Sequence, residues 1–428
     1  MSTVTRPPTW FVSFALLCLW RAGTLGDDWP QLRGPNRDGT CEESQILESP
    51  PPEGLQVRWR IPVARGFSSP IVSRGRVFVS DAEILDPGVR ESVHCLEEAT
   101  GKELWSYSAD VEYPAWIYMP EQRRGPGSTP IVQDNRLYAM GGFGHLTCHD
   151  AGGGAVLWEK NLQEGYGVGD TPMDASPLIE NDLLIVFIGG KPGAAVVAFD
   201  KNSGREVWRA IDEPVTHSSP IVIQCGGARQ LIVWTQHSIV SLNPHNGQIC
   251  WREPMQTSAD YAVSTPVFHG NLLLISGLMF ELDTTRPAAT TVWPQSRAVA
   301  RRTLSNTSTP LIHEGYVYSA KSAGELACLE STSGKLVWET DRVTDLRSAA
   351  SIHITRNGNR AFLFNDRGEL IWARLVPEGY TEIGRTRLIE PTSEFMGRNV
   401  VWVAPAFANR QVLVRNDKEL ICASMAKD

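Results

Sequence analysis

The sequence lacks the cysteine arrangements that bind zinc or form a redox pair. It contains eight cysteines, but no two are adjacent and none are spaced as Cys-x-x-Cys. Four of them hold one position of a repeat described below, where other copies have Ala198 and Ser241: Cys95, Cys148, Cys328 and Cys422. A position shared by cysteine, alanine and serine favours small buried core residues over metal ligands or disulfides. The sequence therefore predicts no metal site.

Long basic runs are also absent. The chain has 40 Lys and Arg against 48 Asp and Glu, which gives a formal net charge of −8. No segment mixes Lys or Arg with clustered aromatic residues, as nucleic-acid-binding surfaces do. We therefore expect no nucleic-acid partner.

Only one long apolar run is present, from Trp10 to Trp20, and it is too short to span a bilayer as a helix. Arg6 precedes this run, and small residues suited to cleavage follow it near Gly26. Residues 1–26 are therefore predicted to be a signal peptide, and the protein to be exported to the periplasm or cell surface. An uncleaved membrane anchor is the alternative reading of the same residues. We expect membrane contact only through association with the cell envelope.

The main positive feature is a repeat of a short apolar strand, an acidic or amide residue, a turn Gly and a Trp. Five copies have Gly at the turn: Glu97-Gly101-Trp105, Asp150-Gly154-Trp158, Asp200-Gly204-Trp208, Asn243-Gly247-Trp251 and Glu330-Gly334-Trp338. A period of roughly 40 to 50 residues made only of short strands is typical of a β-propeller with one four-stranded blade per repeat. Seven tryptophans are predicted to pack between neighbouring blades: Trp59, Trp105, Trp158, Trp208, Trp251, Trp293 and Trp338.

A second marker, a Ser or Thr followed by Pro and aliphatic residues, recurs in phase with the first. Clear copies start at Ser69, Thr129, Ser176, Ser219, Thr265 and Thr309, and degenerate copies at Ala350 and Ala404. Because proline has no amide donor, a Pro that recurs at one phase marks the start of a strand. The two markers together predict eight blades. The repeats at residues 264–304 and near Tyr380 depart from the pattern.

The chain ends on a third strand, whereas an unassigned Trp-bearing strand, residues 55–62, precedes the first blade. Pairing of these two strands would close the ring and leave no open edge. The predicted fold is therefore an all-β, eight-bladed propeller of four-stranded antiparallel blades, closed by an N-terminal strand that completes the last blade. The predicted domains are a signal peptide (1–26), an N-terminal extension (27–54) and one propeller domain (55–428), and we expect a monomer.

The fold also predicts where a site lies, because residues just before each innermost strand surround the mouth of the axial funnel. These residues mix both charges, an imidazole and aromatic rings, as a small polar pocket does: Arg65, Phe67, Asp174, His217, Tyr261, Asn306, Arg347 and Trp402. Asp174 and the nearby Asp170 are candidate catalytic bases, or alternatively ordinary loop residues. The aromatic insertion 113–120 either packs on its own blade or forms a partner surface.

The segment Asp28–Gly39, the Trp59 strand and Gly66–Pro70 resemble the start of secreted bacterial proteins with PQQ-like propeller repeats. That family includes quinoprotein alcohol dehydrogenases, which carry pyrroloquinoline quinone (PQQ) and Ca²⁺ on the propeller axis. It also includes cofactor-free relatives such as the scaffold lipoprotein of the outer-membrane β-barrel assembly machinery.

If this chain resembles the dehydrogenases, the resemblance implies a quinone clamped between a Trp and a disulfide formed by two adjacent cysteines. It also implies Glu, Asn and Asp side chains that bind Ca²⁺. This chain has no adjacent cysteines. The favoured hypothesis is therefore a non-catalytic exported propeller, without cofactor, that binds a protein, peptide or glycan partner in the cell envelope. The alternatives are a PQQ-dependent alcohol dehydrogenase with Asp174 or Asp170 as base, and a purely architectural envelope module.

Overall fold

A computed structural model of the protein describes residues 28–85, 88–258 and 262–427. The predicted signal peptide lies outside these residues. Eight four-stranded antiparallel sheets follow one another along the chain and form an eight-bladed β-propeller, which confirms the predicted fold class. Among the described residues, no helix combines the length and apolar character needed to cross a bilayer.

The first four blades contain β2 to β17 in sequence order, with the innermost strand first. Blade 1 comprises Ile71–Ser73, Arg76–Ile84, Val89–Glu97 and Glu103–Val111. Blade 2 comprises Ile131–Gln133, Arg136–Met140, His145–Asp150 and Val156–Asn161. Blade 3 comprises Leu178–Glu180, Leu183–Gly190, Ala194–Asp200 and Glu206–Ala210. Blade 4 comprises Ile221–Cys225, Ala228–Trp234, Ser238–Leu242 and Ile249–Pro254.

The last four blades follow the same order but carry two insertions. Blade 5 comprises Val267–His269, Leu272–Ile275, Leu278–Leu282 and Ala289–Trp293 (β18–β21), and helix α1, Arg297–Thr303, follows it. Blade 6 comprises Leu311–His313, Tyr316–Ala320, Leu326–Glu330 and Leu336–Thr340 (β22–β25). Blade 7 comprises Ile352–Asn357, Arg360–Asn365, Glu369–Val376 and Gly379–Arg387 (β26–β29). A hairpin, Ser393–Phe395 and Arg398–Val400 (β30–β31), precedes blade 8.

Blade 8 joins the two ends of the chain. Its strands Ala406–Ala408, Gln411–Arg415 and Glu419–Ser424 (β32–β34) are completed by β1, Val57–Pro62, which pairs with β34. The fully buried Arg415 also donates to the carbonyl oxygen of Ser80 in blade 1, at 2.7 Å. The predicted closure is therefore correct, because the first and last strands of the described chain pair in one sheet.

The turn glycines and blade tryptophans form one packing unit. The Trp105 indole of blade 1 donates to the carbonyl oxygen of Ala151 in blade 2, at 3.2 Å, and its ring lies against Gly154. Gly154 has φ +79°, and a Cβ there would lie 2.5 Å from the Trp105 ring. Both the backbone conformation and the close approach therefore require glycine.

The same cross-blade hydrogen bond recurs around most of the ring. Five further indoles donate to a carbonyl oxygen of the next blade: Trp59 to Glu98, Trp158 to Lys201, Trp208 to Pro244, Trp293 to Ser331 and Trp338 to Val376. Trp251 instead bonds Gln230 within its own blade, at 2.8 Å. The blade that follows Trp251 is blade 5, whose sequence has Ala289 in place of the turn glycine. The cross-blade hydrogen bond is therefore absent at the described Trp251, where the repeat departs from its pattern.

The third-strand cysteines are core residues. Cys95, Cys148, Cys328 and Cys422 are fully buried and form no disulfide. Burial raises the pKa of Cys95 and Cys422 to about 12 and that of Cys148 to about 11. A thiol with so high a pKa is a poor nucleophile at neutral pH.

Candidate functional site

The funnel ends in a pocket of about 790 Å³. A belt of Ser and Thr side chains from the strand-start markers surrounds the pocket. In blades 1 to 3, the backbone N–H of each marker residue donates to the side-chain hydroxyl of the marker residue in the next blade. Ser69 donates to Thr129 at 3.1 Å, Thr129 to Ser176 at 2.9 Å, and Ser176 to Ser219 at 2.9 Å. The marker therefore has two roles: proline begins the strand, and the preceding hydroxyl joins neighbouring blades around the axis.

Asp174 is the central charged group of the pocket wall. Its buried carboxylate forms a salt bridge with Arg124 and lies 2.9 Å from His217 Nδ1. The backbone N–H of Gly127 donates to it at 3.0 Å. Burial opposes ionisation of Asp174, but Arg124, His217 and the Gly127 amide outweigh burial and lower its pKa to about 2. Three neighbouring groups of the pocket wall therefore hold Asp174 as an anion.

Three aromatic rings form a second wall. Trp402 packs against Phe67, with ring centroids 6.0 Å apart, and against Phe395 at 4.7 Å. The guanidinium of Arg124 lies 5.3 Å from the centroid of Phe67. His353 Nε2 donates to the carbonyl oxygen of Trp402 at 2.7 Å, and burial lowers the His353 pKa to about 4. At neutral pH this wall is therefore apolar and uncharged apart from Arg124.

The N-terminal extension forms the floor. Trp29 pairs with Val72 of blade 1, Arg37 donates to Pro177 O of blade 3 at 2.7 Å, and Gly39 accepts from Arg356 N of blade 7. Blades 3 and 7 face each other across an eight-membered ring, so the extension crosses the axis between them. Trp29, Leu32, Arg33 and Gly39 line the pocket from this side. The sequence predicted this segment as an N-terminal extension and a family marker but not as part of the site, although two arginines in an otherwise strandless stretch were a usable signal.

Two insertions complete the mouth of the pocket. The segment between blades 1 and 2 contains 3-10 turns at Ala115–Tyr118 and Pro120–Gln122 and supplies Glu121 to Arg124. Tyr113 and Ile117 of this segment are buried, and Tyr113 packs on Phe143 of blade 2, so its aromatic residues mainly anchor it. The β30–β31 hairpin, which lies between blades 7 and 8, supplies Phe395 and Met396.

The structure brings most of the predicted rim residues together. Six of them line the pocket: Arg65, Phe67, Asp174, His217, Asn306 and Trp402. Tyr261 lies outside the described residues. Arg347 is exposed and is not among the pocket residues, whereas its neighbours Ser348 and Ala349 are. Asp170 is also exposed and outside the pocket.

The pocket residues do not match the ligand set of a calcium–quinone centre. Ca²⁺ needs six to eight converging oxygens. Among the described residues, no group of three or more His, Cys, Asp or Glu could hold a metal ion. Asp174 is engaged by Arg124, and the other recessed carboxylate, Asp417, accepts from Ser393 Oγ at 2.6 Å and from the Gly66 amide. The carboxylates of the pocket therefore do not offer the converging oxygens that Ca²⁺ needs at Asp174.

Comparison with known proteins gives two groups of relatives. The chain is 22% identical over 249 residues to outer membrane protein assembly factor BamB of Moranella endobia, which covers 53% of this chain and 61% of the relative. It is 25% identical over 162 residues to quinoprotein alcohol dehydrogenase PedH of Pseudomonas putida, which covers 33% of this chain and 25% of the relative. The chain thus spans less than two thirds of the length of the curated relatives it matches, 61% of the first and 25% of the second of these two.

Solved structures support the fold. BamB of Moraxella catarrhalis superposes with a TM-score of 0.59 at 16% identity, covering 86% of this chain and 99% of that one. A quinohemoprotein alcohol dehydrogenase of Comamonas testosteroni gives 0.63 at 14% identity, covering 94% and 81%. The family model described as outer membrane protein assembly factor BamB matches residues 89–340 and 285–428. The chain therefore belongs to this family of PQQ-like β-propeller proteins.

Proposed function

We propose that the protein is an exported, non-catalytic scaffold that binds a segment of a protein partner in the funnel pocket. The observation that carries this proposal is the state of Asp174, whose carboxylate is held by Arg124, His217 and the Gly127 amide with a pKa of about 2. These three contacts occupy the carboxylate that the dehydrogenase alternative would use as its base. The pocket volume lies in the range of roughly 300–1,000 Å³ that is common for ligand sites.

The family supports a protein partner. Relatives named as outer membrane protein assembly factors give the family its description, and such a name implies contacts with other envelope proteins. The aromatic wall of Phe67, Phe395 and Trp402 offers the ring surface that dominates protein recognition. The quinoprotein dehydrogenase is the alternative that the experiment must separate from this proposal.

The first prediction concerns this choice. The purified full chain is mixed with PQQ and Ca²⁺, and the quinone spectrum, the thermal melt and dye-linked alcohol oxidation are recorded. We expect no response, because the carboxylates that would bind Ca²⁺ are already engaged. A ligand at 100 times its Kd would add about 2.7 kcal/mol to the free energy of unfolding, which a melt detects easily.

The same protein is used as bait for envelope proteins, in parallel with the double variant His217→Ala/Trp402→Ala. The matched control is Arg347→Ala, which alters a charged residue next to the pocket but outside it. We expect wild type and the control to recover the same partner and the double variant to lose it while remaining folded. If the folded double variant still bound the partner, the binding site would have to lie outside the funnel.

A further inference from the structure

Two arginines of the extension, Arg33 and Arg37, lie in the floor of the pocket and beside it. Arg33 lines the floor of the pocket and donates to the carbonyl oxygen of Asp38 at 2.7 Å. Arg37 lies between the floor and blade 3, where it donates to the carbonyl oxygens of Pro177 and Ser176 at 2.7 and 2.9 Å. Among the described residues, no ion pair within 4.0 Å involves either side chain.

Both guanidiniums are charged at neutral pH. Burial lowers the pKa of Arg33 to about 10, against the attraction of Asp38, and that of Arg37 to about 9, with a further contribution from Arg33. In the part of the chain that the structure describes, Arg33 Nη1 and Arg37 Nε are buried and have no hydrogen-bond acceptor. Carbonyl dipoles thus satisfy these cations only in part, and of the two arginines Arg33 lines the pocket.

The pocket is a blind funnel. The extension crosses the axis between blades 3 and 7, so a polypeptide cannot thread through the ring and has to enter and leave by one mouth. Above the floor stands the aromatic wall of Phe67, Phe395 and Trp402. At the mouth, Glu121 and Glu394 are exposed and negative, which disfavours a ligand with many negative charges. These features suit a chain end with one anionic group.

We propose that the funnel binds the carboxyl terminus of a partner polypeptide, with the terminal carboxylate directed toward Arg33 and the last side chains against Trp402 and Phe67. This inference rests on the proposed scaffold function and specifies what the funnel recognises. The carboxylate supplies the counter-charge that the floor lacks, and a guanidinium is suited to bind it. The extension therefore acts as the recognition floor of the site as well as its closure.

The test compares two synthetic peptides that differ only at the end: acetyl-Gly-Ser-Gly-Ser-Phe with a free carboxylate, and the same peptide as its C-terminal amide. Binding to the wild-type full chain is measured by titration calorimetry. We expect the free acid to bind at least about tenfold more tightly than the amide, because only the acid forms the charge-assisted contact. Equal affinities for acid and amide would overturn the inference, and this comparison needs no variant.

Variants locate the contact. Arg33→Gln removes the charge but keeps a donor for the Asp38 carbonyl, and should abolish the difference between acid and amide. Arg33→Lys keeps the charge and should retain part of the difference. Arg347→Gln is the matched control, since it removes a positive charge from an exposed position outside the pocket. An acid preference that persists in a folded Arg33→Gln protein would overturn the assignment to Arg33.

The two proposals fail in different ways. If neither peptide binds but capture of a partner still depends on Trp402, the carboxylate inference is wrong and the scaffold function stands. If capture is also insensitive to Trp402, both are wrong. Binding of PQQ without binding of either peptide contradicts both and favours the dehydrogenase.

Discussion

At the scale of single residues, the buried carboxylate of Asp174 is paired with basic groups of the funnel wall. Asp174 contacts Arg124, His217 and the Gly127 amide, and a Cβ on residue 127 would lie 2.5 Å from the Asp174 carboxylate. The glycine thus lets the backbone approach the carboxylate closely enough to donate to it. Such an arrangement stabilises the rim of the pocket and makes it dependent on pH.

The pH dependence of Asp174 follows from its lowered pKa of about 2 against an ordinary value of 3.8. A carboxyl whose pKa is depressed on folding stabilises the protein above its ordinary pKa, and this stabilisation is lost as the pH falls toward 2. We expect Asp174→Asn to lose on the order of 2 kcal/mol at pH 7 and to show a flatter decline between about pH 4 and pH 2. Urea unfolding at a series of pH values measures both effects.

The control for this prediction is Asp170→Asn, which makes the same chemical change at an exposed position four residues earlier. It should leave the acid limb of the stability curve nearly unchanged. An Asp174→Asn protein with the acid limb of wild type would show that the salt bridge to Arg124 does not stabilise the fold.

At the scale of elements, the turn between the third and fourth strands is the joint between blades. The Trp ring of the preceding blade packs against the turn glycine, as Trp105 packs against Gly154 and Trp158 against Gly204. Position 315 also has a glycine with positive φ, +83°, but a Cβ there would meet nothing within 4 Å. The two positions therefore separate backbone strain from packing between blades.

We expect Gly154→Ala to destabilise the protein by about 1–3 kcal/mol more than Gly315→Ala. Both substitutions impose a similar cost of positive φ, about 1–2 kcal/mol, whereas only the first forces a methyl group into the Trp105 ring. Chemical denaturation of the two variants measures the difference. Equal losses would mean that the Trp ring moves aside freely and contributes little to the joint.

At the scale of the whole molecule, the two ends of the chain meet in blade 8. Strand β1 supplies its outermost strand, and Trp59 on β1 then docks on Glu98 of blade 1. The extension lies on the opposite side of this joint, where Leu47 N donates to Met425 O at 2.7 Å. Strand β1 therefore closes the ring, whereas the extension before it forms the floor of the pocket, and the two segments can be removed separately.

Two truncated chains distinguish these segments. A protein that begins at residue 55 keeps β1, whereas one that begins at residue 63 loses it and exposes the edge of β34. We expect the shorter chain to lose at least about 3 kcal/mol through the missing Trp59 and to self-associate at its open edge. Light scattering and thermal melts compare the two. Identical behaviour would mean that β1 is not required for closure.

The amount that sequence predicts differs between the scaffold and the site. The Gly–Trp and hydroxyl–Pro markers predicted the blade count, the strand order and the closure, because each marker records a local need: a positive φ, a strand start or a ring between sheets. Six rim residues were placed in the pocket because the residues before each innermost strand meet at one end of the axis. Arg347 is exposed and outside the pocket, since the repeat does not specify the course of a single loop.

The amino-acid sequence alone determined the repeating architecture, since a period of local backbone and packing requirements specifies a blade wherever it occurs. Only the tertiary structure decided that the extension crosses the axis, that Arg124 from an insertion neutralises Asp174, and that Arg33 and Arg37 lie in the floor. Those contacts join residues far apart in the chain and occur once each. A contact that occurs once, between segments far apart in the chain, produces no repeat in the sequence and so cannot be predicted from periodicity.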